Sequence, residues 1–237
     1  MENRNMVKGE YQYAIYPSLL DSFLKYKKAD DDETFAYLLD KINKVKTEQT
    51  EQQLKGIEFE NLVGLVINAN KTHQHDLLKQ DHEVYETDNF EFKAGLVNKI
   101  ADKLRGRQME QNYIEAIINT KVGRIKLYGI VDYRFEDMIV DLKTTGNYKI
   151  NKYTDTKDWK YTQHLIYPLI RKTMGNPVKA FKYVVTDFEN DYQETYIPTE
   201  AMDIKLMQLI YEFVAFIEYY KPNITDYTVF GGRKEAF

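Results

Sequence analysis

Two aspartates and a lysine stand at spacings that would bring their side chains together on one side of a β-hairpin. Asp132 ends the segment Gly129-Ile130-Val131-Asp132, and Asp141 and Lys143 follow in a β-branched segment. Alternate residues of a strand share a face, so Asp141 and Lys143 point the same way, with Asp132 across from them on the preceding strand. Two such carboxylates repel each other unless a cation lies between them, and oxygen ligands of this kind suit Mg²⁺ or Mn²⁺.

The acid-x-lysine tripeptide is common in this chain and carries little information alone. It begins at Glu91, Asp141, Asp155, Asp158 and Asp203. Only the copy at Asp141 combines a β-branched setting with a Gly-x-x-Asp on the strand before it. A half-exposed strand with charged outward side chains would show the same local pattern, so both interpretations stay open on these residues.

Polar residues on two predicted helices could complete the group. Gln163 and Tyr167 are four residues apart and share a helix face, which Trp159 and Arg171 extend at the same spacing. A solvent-exposed face is the alternative interpretation. Upstream, Glu60 lies four residues after a glycine in an apolar helical pattern, where a surface glutamate is the default interpretation and Glu58 is a competing candidate.

A polar stretch contains three histidines that could also bind a metal. His73 and His75 form a His-x-His pair, and His82 follows. Exposed loop histidines are the favoured interpretation.

The periodicity of the apolar residues predicts the elements that must position these side chains. Ser18 is predicted to cap a first helix, a second helix is expected to start within 30–33, and a third is expected over 48–69, before three strands in an antiparallel meander. The later elements are a helix over 158–174, strands over 178–187 and 192–197, and a last helix over 199–220. The predicted fold class is α/β (α+β), with a central mixed β-sheet flanked by helices. We expect one domain over 1–237, with a helical N-terminal segment over 1–50, a core over 51–200 and a C-terminal helix over 199–221.

Composition excludes several classes of protein. At 237 residues with 43% hydrophobic content the chain can bury a core, and without cysteine it has no disulfide, thiolate metal site or iron–sulfur cluster. No apolar run is long enough for a membrane span, and the N-terminus has no apolar signal stretch, so a cytoplasmic protein is expected.

Charge is distributed unevenly along the chain. The net charge is −4, yet residues 141–182 hold nine Lys or Arg against three acids, a local charge of +6. Lys160 lies in this segment beside several aromatic residues. Basic groups can neutralise phosphates and aromatic rings can stack on unpaired bases, although a solvated basic face is equally compatible.

The order of these motifs resembles the RecB-like branch of the PD-(D/E)XK nuclease superfamily. That pattern has a His or Glu on a helix, Gly-x-x-Asp, then Asp-x-Lys-Thr on a strand, and Gln-x-x-x-Tyr on a helix. The matching residues here run from Glu60 through Asp132 and Asp141 to Gln163 and Tyr167. The segment from Pro17 to Phe23 also resembles the opening helix of these proteins, without the cysteine that often follows. The resemblance covers residues 15–200 and implies a restriction-endonuclease-like core.

The resemblance also implies roles for individual residues. Asp132, Asp141 and the Leu142 carbonyl would ligate Mg²⁺ or Mn²⁺, and Glu60 would do so directly or through water. Lys143 would position the attacking water or help to deprotonate it. By the same resemblance Gln163 and Tyr167 would orient the DNA backbone, and we group Trp159, Lys160 and Arg171 with them as candidate DNA contacts.

A single domain without helicase motifs resembles the RecE-type and λ-exonuclease-type enzymes of phage recombination. This likeness implies degradation of linear double-stranded DNA, a homo-oligomeric ring and a single-strand annealing protein as partner. A structure-selective endonuclease and a non-catalytic DNA-binding relative are the rivals.

Overall fold

The computed structural model describes residues 11–72, 83–155 and 160–231, with no side-chain detail for 69–72. His73, His75, His82 and Trp159 lie outside the described residues, so the predictions made for them remain predictions.

The N-terminal part combines one short strand with three helices. Pro17 opens the first helix because its fixed φ angle suits the first helical position. The Ser18 N-cap suggested by the sequence was therefore wrong, since the helix already includes Ser18. Asp31 caps the second helix by accepting the Thr34 N–H at 2.7 Å. The elements are β1 (Tyr13–Ile15), α1 (Pro17–Ala29), α2 (Asp32–Ile42) and α3 (Glu51–Thr72).

The remaining elements include the predicted meander and a small hairpin with a helix that the sequence did not reveal. Thr199 caps the last helix, whose apolar stripe is buried as predicted. The unforeseen elements are β2 (Val84–Glu86), β3 (Glu91–Lys93) and α4 (Ala94–Leu104). The others are β4 (Met109–Thr120), β5 (Gly123–Arg134), β6 (Met138–Thr144), α5 (Gln163–Thr173), β7 (Ala180–Thr186), β8 (Asp191–Tyr196) and α6 (Glu200–Tyr219).

Six strands form one mixed sheet, which confirms the predicted fold class. The strand order is β1-β5-β6-β7-β8, with β4 paired to β5 as well. The pairs β1–β5 and β6–β7 are parallel, whereas β4–β5, β5–β6 and β7–β8 are antiparallel. The antiparallel meander from β4 to β6 is thus present, and β2 and β3 form a separate hairpin.

Helices cover both faces of the sheet and bury two apolar clusters. One cluster joins the sheet to α1, α2, α5 and α6 and contains Phe23, Tyr183 and Phe213. The other joins it to α3, α4 and β3 around Phe59 and Phe92. Because β6 contributes residues to both clusters, it is held from two sides, and this fixes the strand that carries Asp141 and Lys143.

Across residues 11–72, 83–155 and 160–231, no helix combines the length and the apolar character that crossing a bilayer requires.

Candidate active site

The candidate site lies where β5 loses its sheet neighbour. One edge of β5 pairs with β4 from Gly123 to Arg134. The other edge pairs with β1 only at Ile125–Leu127, and with β6 only at Tyr133 and Arg134. The β5 residues 128–132 on that edge therefore lie in a gap between β1 and β6, where backbone groups need other partners.

Two motif side chains form hydrogen bonds with backbone groups beside this gap, one on β5 and one on β6. The Tyr167 hydroxyl on α5 donates to the Ile130 carbonyl at 2.9 Å. Asp132 Oδ2 accepts the Leu142 N–H at 3.1 Å, so an aspartate replaces the backbone acceptor that a continuous ladder would provide. The N–H and C=O of one strand residue project toward the same neighbour, so the Leu142 carbonyl faces the same gap.

The glycine of Gly-x-x-Asp makes room for this arrangement. A Cβ at Gly129 would lie 2.6 Å from Cε1 and 2.7 Å from the hydroxyl oxygen of Tyr167. A larger residue at this position would collide with the Tyr167 ring. The ring could move aside only by losing the hydrogen bond from its hydroxyl to the Ile130 carbonyl. Gly129 is therefore needed for the close approach of α5 to β5.

Asp141 and Lys143 form the buried end of the site. Asp141 is 1% exposed and Lys143 26% exposed, and Lys143 Nζ lies 2.6 Å from Asp141 Oδ2. Gln163 Nε2 donates to Asp141 Oδ1 at 2.8 Å. The predicted stripe on α5 is thus not a solvent face at these positions, because Gln163 holds Asp141 and Tyr167 is buried.

Glu60, rather than Glu58, lies beside this group. A Cβ at Gly56 would approach Thr144 Oγ1 to 2.5 Å, so the glycine lets α3 lie close to β6, one turn before Glu60. Glu60 lines a cavity of about 500 Å³ together with Asp132 and Leu142. Glu58 instead accepts hydrogen bonds from Thr87 and Asn89 in the β2–β3 turn.

Burial and crowding shift the ionisation of all four groups. Burial raises the pKa of Glu60 to about 7, opposed by Lys143 and assisted by Asp141. Burial and the Asp141 charge raise the pKa of Asp132 well above its ordinary value. Burial also raises the pKa of Asp141 against the opposing charge of Lys143. For Lys143, burial lowers the pKa, but Asp141 and Asp132 outweigh it and the net pKa is raised. The lysine is thus a fixed positive charge, and the carboxyl groups would ionise more readily beside a cation.

The residues present fit a hard divalent cation. Asp132, Asp141 and the Leu142 carbonyl provide oxygen donors around one gap, which is the donor type that Mg²⁺ and Mn²⁺ prefer. Within the described part of the chain, no three His, Asp or Glu side chains are grouped closely enough to hold a metal directly.

Backbone strain occurs opposite Asp132. The β4–β5 ladder skips the pair formed by Gln111 and Asp132. Gln111 has φ of 45°, in the left-handed region that non-glycine residues rarely adopt. Strain of this kind is frequent at functional sites and is consistent with a special role for Asp132.

A cleft rich in tyrosine opens beside Lys143, and we call it the tyrosine cleft. Its volume is about 980 Å³, and its walls include Gln163 and Lys143. The Tyr128 ring lies 5.5 Å from that of Tyr16 and 6.4 Å from that of Tyr113, measured between centroids. The tyrosines that line it are Tyr16, Tyr113, Tyr128, Tyr153, Tyr161 and Tyr167.

Asp21 is the acid in the wall of this cleft that the sequence did not single out as functional. Its Oδ1 accepts the Thr162 hydroxyl at 2.7 Å. Burial raises the pKa of Asp21 to about 7, against the lowering effect of Thr162 and Lys143. It anchors the start of α5, whose Gln163 reaches Asp141.

Two of the other predicted DNA contacts, Lys160 and Arg171, lie apart from the carboxylates. Lys160 is exposed and lines a groove beside α1 and α2. Arg171 is half-buried; burial, with the nearby charge of Arg134, lowers its pKa. Sequence reasoning missed Tyr16, which follows β1, and the cleft residues on α1, β4 and β5, because no local motif joins them. The available signal was the high tyrosine content, 20 in the chain.

Comparisons with known proteins give little. No family model matches the chain, and no curated protein matches it. Two solved structures share part of its arrangement. One is SSO0001, 12% identical with a TM-score of 0.47, covering 90% of this chain and 79% of that one. The other is described as a "putative exonuclease" from Eubacterium rectale, 17% identical with a TM-score of 0.42, covering 80% and 75%. Likeness at this level supports no argument about activity.

Proposed function

We propose that this chain is a metal-dependent deoxyribonuclease of the PD-(D/E)XK superfamily. In this proposal it is an exonuclease that hydrolyses linear double-stranded DNA in phage-type recombination. The observation that carries the proposal is the convergence of Asp132, Asp141 and Lys143 beside the gap between β1 and β6. The name of the Eubacterium rectale structure agrees with it but adds no weight.

In this proposal the carboxylates hold the cation and the scaffold holds the carboxylates. Asp132, Asp141 and the Leu142 carbonyl would hold Mg²⁺ or Mn²⁺, and Glu60 would contribute directly or through a water molecule. When bound, such a cation lowers the pKa of water and offsets negative charge on a phosphate. The Leu142 N–H fixes Asp132, and Gln163 fixes Asp141, so both oxygens are oriented before DNA arrives.

Lys143 supplies a positive charge next to the reacting phosphate. Because Asp141 and Asp132 raise its pKa, it remains protonated in the metal-free site. A protonated ammonium can orient the attacking water and stabilise the charge that develops on the phosphate. As a protonated group, Lys143 can orient the water but cannot accept its proton.

Gln163 and Tyr167 act as positioning residues in this account. Both already bond to the protein itself, at Asp141 Oδ1 and at the Ile130 carbonyl. The role implied by family resemblance, direct orientation of the DNA backbone, would require these bonds to be exchanged. Positioning of Asp141 and of the β5 edge is the function that their present contacts favour.

Digestion of matched DNA substrates tests the proposal. The protein is incubated with Mg²⁺, or with Mn²⁺, and DNA of one sequence as an end-labelled linear duplex or a covalently closed circle. Progressive shortening of the linear form alone is the expected result. Cleavage of the closed circle would favour a structure-selective endonuclease. No cleavage of either by folded protein would contradict the nuclease assignment and favour a non-catalytic DNA-binding relative.

A further inference from the structure

A second groove carries an unusual concentration of lysine, and we call it the lysine groove. Its volume is about 540 Å³, and it lies between α1, α2 and the chain that leads into α5. Three separate elements contribute its charges, so the cluster is created by the fold and not by a run of sequence. The lysines that line it are Lys25, Lys28, Lys41 and Lys160.

The lining of this groove contains more positive than negative charge. Asp21 is the single acidic residue of the described chain that lines it. Within that described part, Lys25, Lys41 and Lys160 form no salt bridge with a carboxylate. Lys25 Nζ instead lies 5.0 Å from the centroid of the Tyr37 ring. An excess of positive charge in the lining, four lysines against one aspartate, favours binding of a polyanion.

The groove continues into the tyrosine cleft. Ser18, Asp21 and Tyr161 line both cavities, and the tyrosine cleft has Lys143 in its wall. One continuous surface therefore leads from the candidate catalytic lysine, past exposed or half-buried tyrosine rings, to the four lysines. This is the order of groups that a nucleic-acid strand requires, with flat rings for bases and ammonium groups for phosphates.

The basic stretch found in the sequence is a weaker candidate for this role. Lys172 pairs with Asp203 at 2.8 Å, and Lys179 pairs with Asp137 at 3.0 Å. Those charges are partly neutralised within the protein. The lysine groove should therefore attract phosphates more strongly than those paired lysines do. Most of its lysines lie on α1 and α2, outside the segment of local charge +6.

We propose that an unpaired DNA strand reaches the catalytic residues through the tyrosine cleft, with its phosphates bound in the lysine groove. The strand is unpaired because a ring of Tyr16, Tyr113 or Tyr128 can stack only on a base whose face is open. This inference rests on the proposed nuclease function, and it names the form in which the substrate strand enters the site.

Binding of a fluorescent single-stranded oligonucleotide, measured by anisotropy in EDTA, tests the groove without hydrolysis. A triple variant (Lys25→Gln, Lys41→Gln, Lys160→Gln) is compared with wild type over a range of salt concentrations. Loss of three phosphate contacts should reduce the slope of log Kd against log salt by about 2, and weaken binding at least tenfold at low salt. A slope equal to that of wild type would overturn the role of the groove.

A control triple variant removes the same charge elsewhere. Lys172→Gln, Lys179→Gln and Lys205→Gln alter exposed residues of α5, of the chain before β7 and of α6. We expect this control to keep the wild-type salt slope. Equal loss in both variants would overturn the proposal, since it would show a dependence on total charge rather than on the groove. Thermal unfolding of both variants confirms that they remain folded.

The tyrosine part of the path has a separate signature. Tyr128→Leu should weaken binding of the single strand by about 5- to 100-fold with an unchanged salt slope, because stacking is lost and no charge is removed. Wild type should bind the single strand more tightly than a duplex of the same sequence. Undiminished binding by the variant, or tighter binding of the duplex, would overturn the proposal that an unpaired strand lies in the tyrosine cleft.

The same preparations separate this inference from the proposed function. If wild type hydrolyses DNA with Mg²⁺ but the groove variant binds normally, the proposed role of the groove is contradicted and the nuclease proposal is not. Wild type that binds through the groove but never hydrolyses DNA would contradict the nuclease and leave a single-strand binding site.

Discussion

Replacement of Glu60 by glutamine should make the metal-free protein more stable above pH 7, although it removes a residue of the proposed site. Burial raises the pKa of Glu60 from an ordinary 4.5 to about 7. At about 1.4 kcal/mol for each tenfold change in an equilibrium, this difference corresponds to about 3 kcal/mol. Ionisation of Glu60 lowers the free energy of unfolding by this amount, whereas a glutamine side chain stays neutral and causes no such loss.

The sign of the pH dependence follows from proton uptake. Between pH 4.5 and 7 the folded protein holds a proton on Glu60 that the unfolded chain has released. Stability conferred by that proton is therefore greatest at low pH and is lost as the pH rises toward 7. The advantage of Glu60→Gln over wild type should be near zero at pH 4.5 and reach about 3 kcal/mol above pH 7.

Urea unfolding followed by circular dichroism in EDTA measures this difference across the pH range. Glu58→Gln is the matched control, because hydrogen bonds from Thr87 and Asn89 lower the pKa of Glu58. That control should lose stability where Glu60→Gln gains it. The reasoning is refuted if Glu60→Gln is no more stable than wild type above pH 7.

Three further substitutions probe the site. Lys143→Gln should lower the rate of DNA hydrolysis by about 10²- to 10³-fold in single-turnover assays, because a charge next to the phosphate is lost; an unchanged rate would exclude the lysine. Gln163→Leu should cost about 1–3 kcal/mol in urea unfolding, because a buried carboxylate oxygen loses its donor; equal stability would contradict that bond. Gly129→Ala should cost about 1–3 kcal/mol by crowding Tyr167. Gly64→Ala, in a helix with open space around the added methyl, should instead stabilise the protein; a loss in both would point to a general intolerance of alanine.

The core of the site was predictable because its spacing is local. Asp132 and Asp141 lie on adjacent strands joined by a short turn, and Phe135 N–H donates to the Met138 carbonyl to close it. Alternation along a strand then places Asp141 and Lys143 on one face. The meander, which the structure confirms, could also be predicted, because β-branched residues and turn residues mark each of its strands.

The surroundings of the site were not predictable, because they depend on contacts between distant segments. β1 is three residues long and pairs with β5 more than 100 positions later in the chain, so no local pattern marks it. Tyr16, Tyr113 and Tyr128 meet only after β1, β4 and β5 have assembled. The hairpin β2–β3 is also too short to give a periodic signal.

Tyr167 shows why a helix face can be misjudged from sequence. A polar-aromatic stripe usually faces water, but here the ring is 4% exposed and its hydroxyl bonds to Ile130. Its burial depends on the gap in the sheet edge and on the missing side chain of Gly129. Neither feature can be read from the residues of α5 alone.

The most direct test of the central claim is release of acid-soluble nucleotides from linear double-stranded DNA in the presence of Mg²⁺. Wild type is compared with Asp141→Ala and Lys143→Ala, each checked for native circular dichroism. The account predicts release by wild type and loss of release in both variants. Release that persists in either folded variant, or folded wild type that releases nothing with Mg²⁺ or Mn²⁺, would contradict it.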